Sequence, residues 1–185
     1  MSALRKIWRN KNMNTLEAIK HRYSCRAFKP EQISIEQTEM LIEAAKAAPA
    51  AMGDYSGISL TVIQSGEIRK QIDKETAFSM PMMGEHPTYE APTLMIISVK
   101  ENKEFPMIPY CNASCMAENI MIEATALGLA SVYIMAVPTV LQQKKELMKR
   151  LEITDGFVPV VMVAVGYAKD EVECKRENKI TCKCI

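Results

Sequence analysis

The segment His21-Arg22-Tyr23-Ser24-Cys25-Arg26-Ala27-Phe28 carries the most informative pattern in this sequence of 185 residues. If the segment is extended, the side chains of Arg22, Ser24 and Arg26 point to one face, because strand residues alternate with a period of two. That face presents a hydroxyl between two guanidinium groups, a donor set that suits a phosphate monoester. The spacing alone leaves two interpretations open: a phosphate site, or a solvated surface with ordinary ion pairs.

The composition limits the class of protein. Hydrophobic residues make up 48% of the chain, enough for a buried core, and the formal net charge is +1. A nucleic-acid-binding protein normally has a clear basic excess. The longest apolar run, residues 157–165, is much shorter than the ~20 residues of a membrane-spanning helix. We therefore expect a globular protein that binds neither nucleic acid nor a membrane.

The ends of the chain predict its organisation and compartment. Residues 1–12 are basic but lack the apolar stretch of a secretory signal. We predict a flexible N-terminal arm over these residues, one domain over residues 13–185, and a cytoplasmic location. Cys174, Cys182 and Cys184 are poorly spaced for a zinc site, so no metal is predicted.

Helix and strand patterns predict an α+β fold. Capping residues open helices at Asn14 and at Ser34, and a capping box at Thr139 is expected to open a charged helix to about Leu151. A long helix rich in alanine is expected over residues 112–127, with Gly128 as its terminator. Buried strands are expected at residues 60–63, 93–99 and 158–165, with a fourth around Tyr133. Because these elements mix without strict alternation, we expect a sheet covered by helices.

Four segments, in order, resemble the nitroreductase-like family of FMN-dependent oxidoreductases. They are Ile19-Lys-His-Arg-Tyr-Ser-Cys-Arg-Ala-Phe28, similar to the family's Arg-x-Ser-x-Arg/Lys-x-Phe motif; Leu41-Ile-Glu-Ala-Ala-Lys-Ala-Ala-Pro-Ala50, similar to a helix ending in Ala-Pro-Ser; residues 117–129, similar to the central helix; and Val163-Ala-Val-Gly-Tyr167, similar to a strand ending in Gly-Tyr. The resemblance covers about residues 13–180. It implies a dimeric α-β-α sandwich, with FMN in a groove at the homodimer interface.

The resemblance also implies which residues hold the flavin. Arg22, Ser24 and Arg26 would bind the FMN phosphate, with Tyr23 beside them. The isoalloxazine ring would lie along Pro49, Ala50, Ala51, Met52 and Gly53. Backbone amides of Ile134, Met135 and Ala136 would face flavin N5 and O4, and Lys175 and Arg176 would return to the phosphate. No side chain is expected to be catalytic, since flavin N5 carries the chemistry.

The chain departs from the family pattern beside the flavin ring. Family members often have Ser and Asn where this chain has Ala50 and Gly53. A side-chain amide that could bond the polar edge of the ring is therefore missing, and Asp54, Tyr55 or backbone groups are the expected substitutes. This departure leaves the tuning of the flavin open.

The expected reaction is a ping-pong transfer from NAD(P)H through FMN to a nitroaromatic, a quinone or a similar small oxidant. Tyr55, Met82 and Met83 are predicted to line the substrate pocket, the two methionines through adaptable apolar contact. Gly84 is a possible hinge of their loop, and the alternative for this loop is packing onto the core.

Two other functions stay open: reductive dehalogenation on the same fold, and a non-catalytic flavin-binding or thiol redox-sensing protein.

Overall fold

Four antiparallel strands form a sheet in the part of the chain that the structure describes. The computed structural model describes residues 13–170 and 180–185, so the expected arm over residues 1–12 lies outside the described residues. The strands are β1, Ile58–Ile63; β2, Thr93–Lys100; β3, Ala130–Ile134; and β4, Phe157–Gly166. Their order in the sheet is β1-β2-β4-β3. The predicted strands are confirmed, each extended by one or a few residues.

Burial explains why β2 and β4 read as continuous apolar runs. Both strands have a neighbour on each side, and nearly all their residues are buried. Helices cover both faces of the sheet, so neither face needs polar side chains. One core packs the helices at Ile35–Lys46 and Ile108–Ala126 against the sheet. The other packs the helices at Gly66–Ser79, Ala136–Leu141 and Lys145–Arg150 against the opposite face. The α+β class predicted from the sequence is confirmed.

Six α-helices and two short 3₁₀ turns surround the sheet within the described residues. The helices are α1, Thr15–His21; α2, Ile35–Lys46; α3, Gly66–Ser79; α4, Ile108–Ala126; α5, Ala136–Leu141; and α6, Lys145–Arg150. The 3₁₀ turns are Ala51–Gly53 and Pro81–Met83. Asn14 and Ser34 cap α1 and α2 through complete capping boxes, as predicted.

The long helix α4 has the small residues that close packing requires. Ala113, Ala117 and Ala124 are fully buried. The helix begins four residues before the predicted start and ends as expected, with Gly128 at φ 74°. The amides of Gly128 and Leu129 donate to Thr125 O and Ala124 O at 3.0 and 2.8 Å, which satisfies carbonyls at the helix end.

The predicted helix from Thr139 to about Leu151 is wrong. Two short helices, α5 and α6, replace it, and Thr139 lies inside α5. The Thr139 hydroxyl donates to Met135 O at 3.0 Å, so it cannot cap a helix start. Gln142 still has helical backbone angles, but Lys144 has φ −112° and ψ 70°, so the helical path is interrupted between the two helices. Beside this interruption the Gln142 side-chain amide donates to Pro159 O of β4 at 2.8 Å.

Candidate flavin site

The segment from Arg22 to Phe28 is extended and runs along the outer edge of β3. Ser24 forms a parallel bridge with Ser131, and the Cys25 amide donates to Ser131 O at 3.0 Å. Phe28 forms an antiparallel bridge with Ala168 just beyond β4. These bonds fix the backbone of the segment on the open side of the sheet.

The two faces of this segment differ as the alternation predicts from Ser24 to Arg26 only. Cys25 is buried in the core, whereas its neighbours Ser24 and Arg26 are exposed. The alternation ends after Arg26, because Ala27 is exposed and Phe28 is buried. Tyr23 is half-buried and packs against the same core as Cys25. A hydroxyl and a guanidinium are therefore presented outward from a rigid stretch of backbone.

Arg22 is held in place from a second element. Only 18% of its side chain is exposed, and its Nε lies 3.6 Å from Oε1 of Glu118 on α4. The structure thus brings Arg22, Ser24 and Arg26 together on one short stretch. Lys175 and Arg176, the expected basic partners from the tail, lie outside the described residues.

The second predicted part of the site, residues 49–53, forms a tight turn after α2. Met52 has φ 58° and Gly53 has φ 67°, so two consecutive residues lie in the left-handed region. The Gly53 amide donates to Ala50 O at 3.0 Å. Methionine pays a steric cost in this region that glycine does not, so contacts outside the turn must hold its shape.

Such a contact comes from α4. The Ala51 amide donates to Oδ1 of Asn112 at 3.1 Å. Asn112 is half-buried, and seven residues further along the helix the Asn119 side chain donates to Ala44 O at 3.1 Å. Positions seven apart lie on nearly the same side of a helix. One side of α4 therefore holds both the turn and the helix that precedes it.

The side chains that follow the turn are engaged locally. Asp54 Oδ1 accepts from the Ser56 amide at 2.9 Å and from its hydroxyl at 2.7 Å, and these bonds lower the pKa of Asp54. The Tyr55 hydroxyl donates to Ala48 O at 3.3 Å. Both expected substitutes for the missing amide thus have local partners within the loop.

The third predicted part, Ile134 to Ala136, joins β3 to α5. Ile134 is buried, whereas 61% of Met135 is exposed. Helix α5 begins at Ala136, and within the described residues no side chain caps its first turn. The first amides of a helix lack partners inside that helix, so hydrogen-bond donors remain at the end of β3.

The predicted pocket residues lie in two places. Tyr55 borders an apolar groove of about 540 Å³ between α2 and β1, together with Ile42, Leu60 and Met116. Met82 and Met83 do not line this groove; they lie in the 3₁₀ turn after α3, with 92% of Met82 exposed. Gly84 has φ 74°, a conformation that suits glycine.

A buried carboxylate anchors the chain that follows the methionine turn. Asp73 of α3 is 7% exposed, and its Oδ1 accepts from the Thr88 amide at 2.9 Å. His86 Nδ1 lies 3.9 Å from the other oxygen. Burial raises the pKa of Asp73, against the opposing effects of Thr88 and His86.

Sequence reasoning missed two contacts at the site. Asn112 and Glu118 both lie in the helix that was predicted, but neither was identified as a partner of the turn or of Arg22. Asn112 could have been noticed as a polar residue in a helix that is otherwise rich in alanine. Within residues 13–170 and 180–185, no three His, Cys, Asp or Glu side chains are grouped to hold a metal, and no helix is long and apolar enough to cross a membrane.

Comparison with known proteins gives consistent matches. A profile described as the Nitroreductase family matches residues 19–167. A protein of Archaeoglobus fulgidus, provisionally named NADH dehydrogenase/NAD(P)H nitroreductase, is 29% identical over 157 residues, which are 84% of this chain and 86% of the relative.

Solved structures give the same result for the fold. A nitroreductase with bound FMN from Desulfitobacterium hafniense has a TM-score of 0.81 and 25% identity, over 92% of this chain and 99% of that one. A second, from Bacteroides fragilis and also with bound FMN, has a TM-score of 0.79 and 25% identity, over 93% and 98% of the two chains. The likeness therefore extends over nearly the whole fold.

Proposed function

The chain belongs to the Nitroreductase family, and from this premise we propose that it is an FMN-dependent oxidoreductase that passes reducing equivalents from NAD(P)H to a small oxidant. Nitroaromatics and quinones are the oxidant classes we propose. The relatives support the cofactor and the reductant through their names: two similar structures contain FMN, and one relative is provisionally an NAD(P)H nitroreductase.

The observation that carries the proposal is the donor set beside β3. Arg22, Ser24 and Arg26 lie on one extended stretch that is bonded to Ser131 through Cys25. Guanidinium and hydroxyl groups form charge-assisted hydrogen bonds with phosphate oxygens, so these residues fit the FMN phosphate. The bonded backbone keeps the donors in place before the ligand arrives, which lowers the entropic cost of binding.

We propose that the ring lies against the remaining predicted residues, from Pro49 to Gly53 and from Ile134 to Ala136. The exposed side chains of Met52 and Met135 support this, since 81% and 61% of them face solvent in the single chain. Covering exposed apolar side chains of this kind with a flat aromatic ring removes apolar surface from water, which stabilises the complex. The amides at the start of α5 would donate to the polar edge of the ring.

The position of α4 supports a homodimer. Arg22 contacts this helix at Glu118, and the turn contacts it at Asn112. Six residues at about 100° each place the two contacts roughly 120° apart around the helix. One protomer thus holds the phosphate donors and the turn on different sides of α4. We propose that each flavin takes its phosphate contacts from one protomer and ring contacts from the turn of its partner.

Bound flavin would supply the hydride acceptor and donor, and the chain supplies binding, orientation and exclusion of water. Hydride transfer of this kind needs no nucleophilic side chain and no acid–base pair from the protein. If reductant and oxidant use the same face in turn, the kinetics are ping-pong. Met82 and Met83 stay proposed pocket residues, and replacing both by Ala should change selectivity among oxidants without changing FMN affinity.

The purified protein tests the proposal directly. We expect flavin absorbance bands after reconstitution with FMN, one flavin per chain, and a mass in light scattering of two chains. NADH or NADPH should bleach the bands without oxygen, and a quinone or a nitroaromatic should restore them.

Other outcomes separate the alternatives. Bands that neither nucleotide bleaches would indicate a non-catalytic flavin protein. Release of halide from a halogenated aromatic, without turnover of quinones, would indicate a dehalogenase. A chain that stays colourless with excess FMN contradicts the proposal.

A further inference from the structure

Asn112 is the side chain through which α4 holds the turn at residues 51–53. The bonded atom must be Oδ1, because the Ala51 amide can only donate. The bond joins positions 61 residues apart in the chain, so it fixes the turn against the central helix and not merely against its own loop.

The same assignment leaves the other half of the amide available. Nδ2 of Asn112 carries two donors, and neither has a partner among the described residues. The residue is half-buried, not enclosed. A donor group that is oriented by its own oxygen and still reachable is suited to bind a ligand's carbonyl oxygen or ring nitrogen.

The turn itself offers no rival side chain for that role. Ala50, Ala51, Met52 and Gly53 have no polar side-chain atoms. Asp54 is bonded to Ser56, and the Tyr55 hydroxyl is bonded to Ala48 O. Among the described residues, Asn112 thus has a side chain that is hydrogen-bonded to the turn and keeps its own donors unused.

We propose that Asn112 is a flavin-binding and positioning residue: Oδ1 sets the shape of the turn, and Nδ2 donates to the polar edge of the isoalloxazine ring. This inference rests on the proposed FMN-dependent function. It assigns to α4 a direct part in cofactor binding beyond its part in the fold. It also explains how a turn without polar side chains can lie beside a polar ring edge.

Asn112→Leu and Asn112→Asp separate the two parts of the proposal. Leu removes both groups, so the Ala51 amide should exchange its hydrogen faster in the apoprotein, and FMN should bind about two- to tenfold more weakly, the range of one ordinary hydrogen bond. Asp keeps an acceptor for Ala51 but loses the donor. The Ala51 amide should then stay protected, while FMN affinity falls and the flavin midpoint potential drops, because a negative charge disfavours the reduced ring.

Asn119→Leu is the matched control, since it removes an amide of the same type from the same side of α4. It should leave Ala51 exchange, FMN affinity and midpoint potential at their wild-type values. Thermal unfolding of every variant identifies loss of folding, and Asn112→Asp keeps the test valid if Asn112→Leu does not fold.

Two results would overturn the inference. Unchanged Ala51 exchange in Asn112→Leu contradicts the positioning role, and unchanged FMN affinity and potential in Asn112→Asp contradict the donor role. Failure of the wild-type chain to bind FMN would instead refute the proposed function, and this inference with it. Hydrogen exchange in the apoprotein shows which of these has failed.

Discussion

Nε of Arg22 lies 3.6 Å from Oε1 of Glu118, and this contact joins the predicted phosphate segment to the central helix. The carboxylate is 47% exposed and the guanidinium 18%. A half-exposed partner contributes little to stability, because solvent screens the pair. Its effect is to limit the directions in which the guanidinium can point. Arg22 is thus an oriented cation beside the exposed Ser24 and Arg26.

Arg22→Met should weaken FMN binding by roughly ten- to a hundredfold, because hydrogen bonds to charged groups contribute about 1.5–3 kcal/mol. Titration of flavin fluorescence against protein measures this. Arg150→Met is the matched control, since Arg150 forms a surface ion pair with Glu67 at 2.9 Å on the α3 side of the protein. Equal losses in the two variants would show that general charge, not this site, attracts the cofactor.

The outward face of residues 22–26 could be predicted because it depends only on strand alternation. Cys25 points inward, and its neighbours Ser24 and Arg26 point outward. The capping box at Ser34 is equally local, since both of its bonds span three residues. Patterns within a few residues of the chain were sufficient for these features.

The contacts that complete the site could not be predicted in this way. Asn112 reaches Ala51 across 61 residues, a distance over which local patterns carry no information. Helix α3 was also missed, because its buried positions include Asp73 and Thr76 as well as Ile72. A helix with polar residues on its buried side lacks the apolar stripe that identifies a helix in sequence.

Gly166→Ala should destabilise the fold. A Cβ at this position would lie 2.5 Å from Cδ of Pro92 and 3.2 Å from Cδ1 of Phe28. Forcing extra volume into a packed site typically costs about 1–3 kcal/mol. Urea denaturation should therefore show a lower midpoint with an unchanged slope.

Gly57→Ala is the matched control for Gly166→Ala. Its nearest contact would be Lys100 Cβ at 3.8 Å, an ordinary packing distance, so its midpoint should remain near that of the wild type. If both glycine variants were equally stable, the close approach at Pro92 would not be a real constraint.

Asp73→Asn should stabilise the protein at neutral pH, by an amount that shrinks on acidification. The raised pKa of Asp73 means that the folded state binds this proton more tightly than the unfolded state. Stability of the wild type therefore falls as pH rises from the ordinary Asp value of about 3.9 through the raised one. Asn keeps an oxygen for the Thr88 amide and removes that dependence. Thermal unfolding between about pH 4 and pH 8 measures the difference.

Asp54→Asn is a control of opposite sign. Hydrogen bonds from Ser56 lower the pKa of Asp54, so its contribution is present above the ordinary Asp value and is lost as pH falls through the lowered one. This variant should be less stable than the wild type at neutral pH, and the two should converge in acid. If both variants changed the stability at neutral pH in the same direction, at least one of the two pKa shifts would be wrongly assigned.

Met52→Gly should separate stability from cofactor binding. Met52 has φ 58°, and relief of a left-handed conformation is worth up to about 1 kcal/mol when glycine replaces a larger residue. Little packing is lost, because 81% of the side chain is exposed. The apoprotein should therefore unfold a few degrees higher, whereas FMN should bind several-fold more weakly without the methionine against its ring.

Glu152→Gly relieves the same type of conformation at φ 53°, away from the proposed site, and should raise the unfolding temperature with no change in FMN affinity. Equal FMN affinity in Met52→Gly and the wild type would remove Met52 from the flavin site and leave the turn with a structural role only.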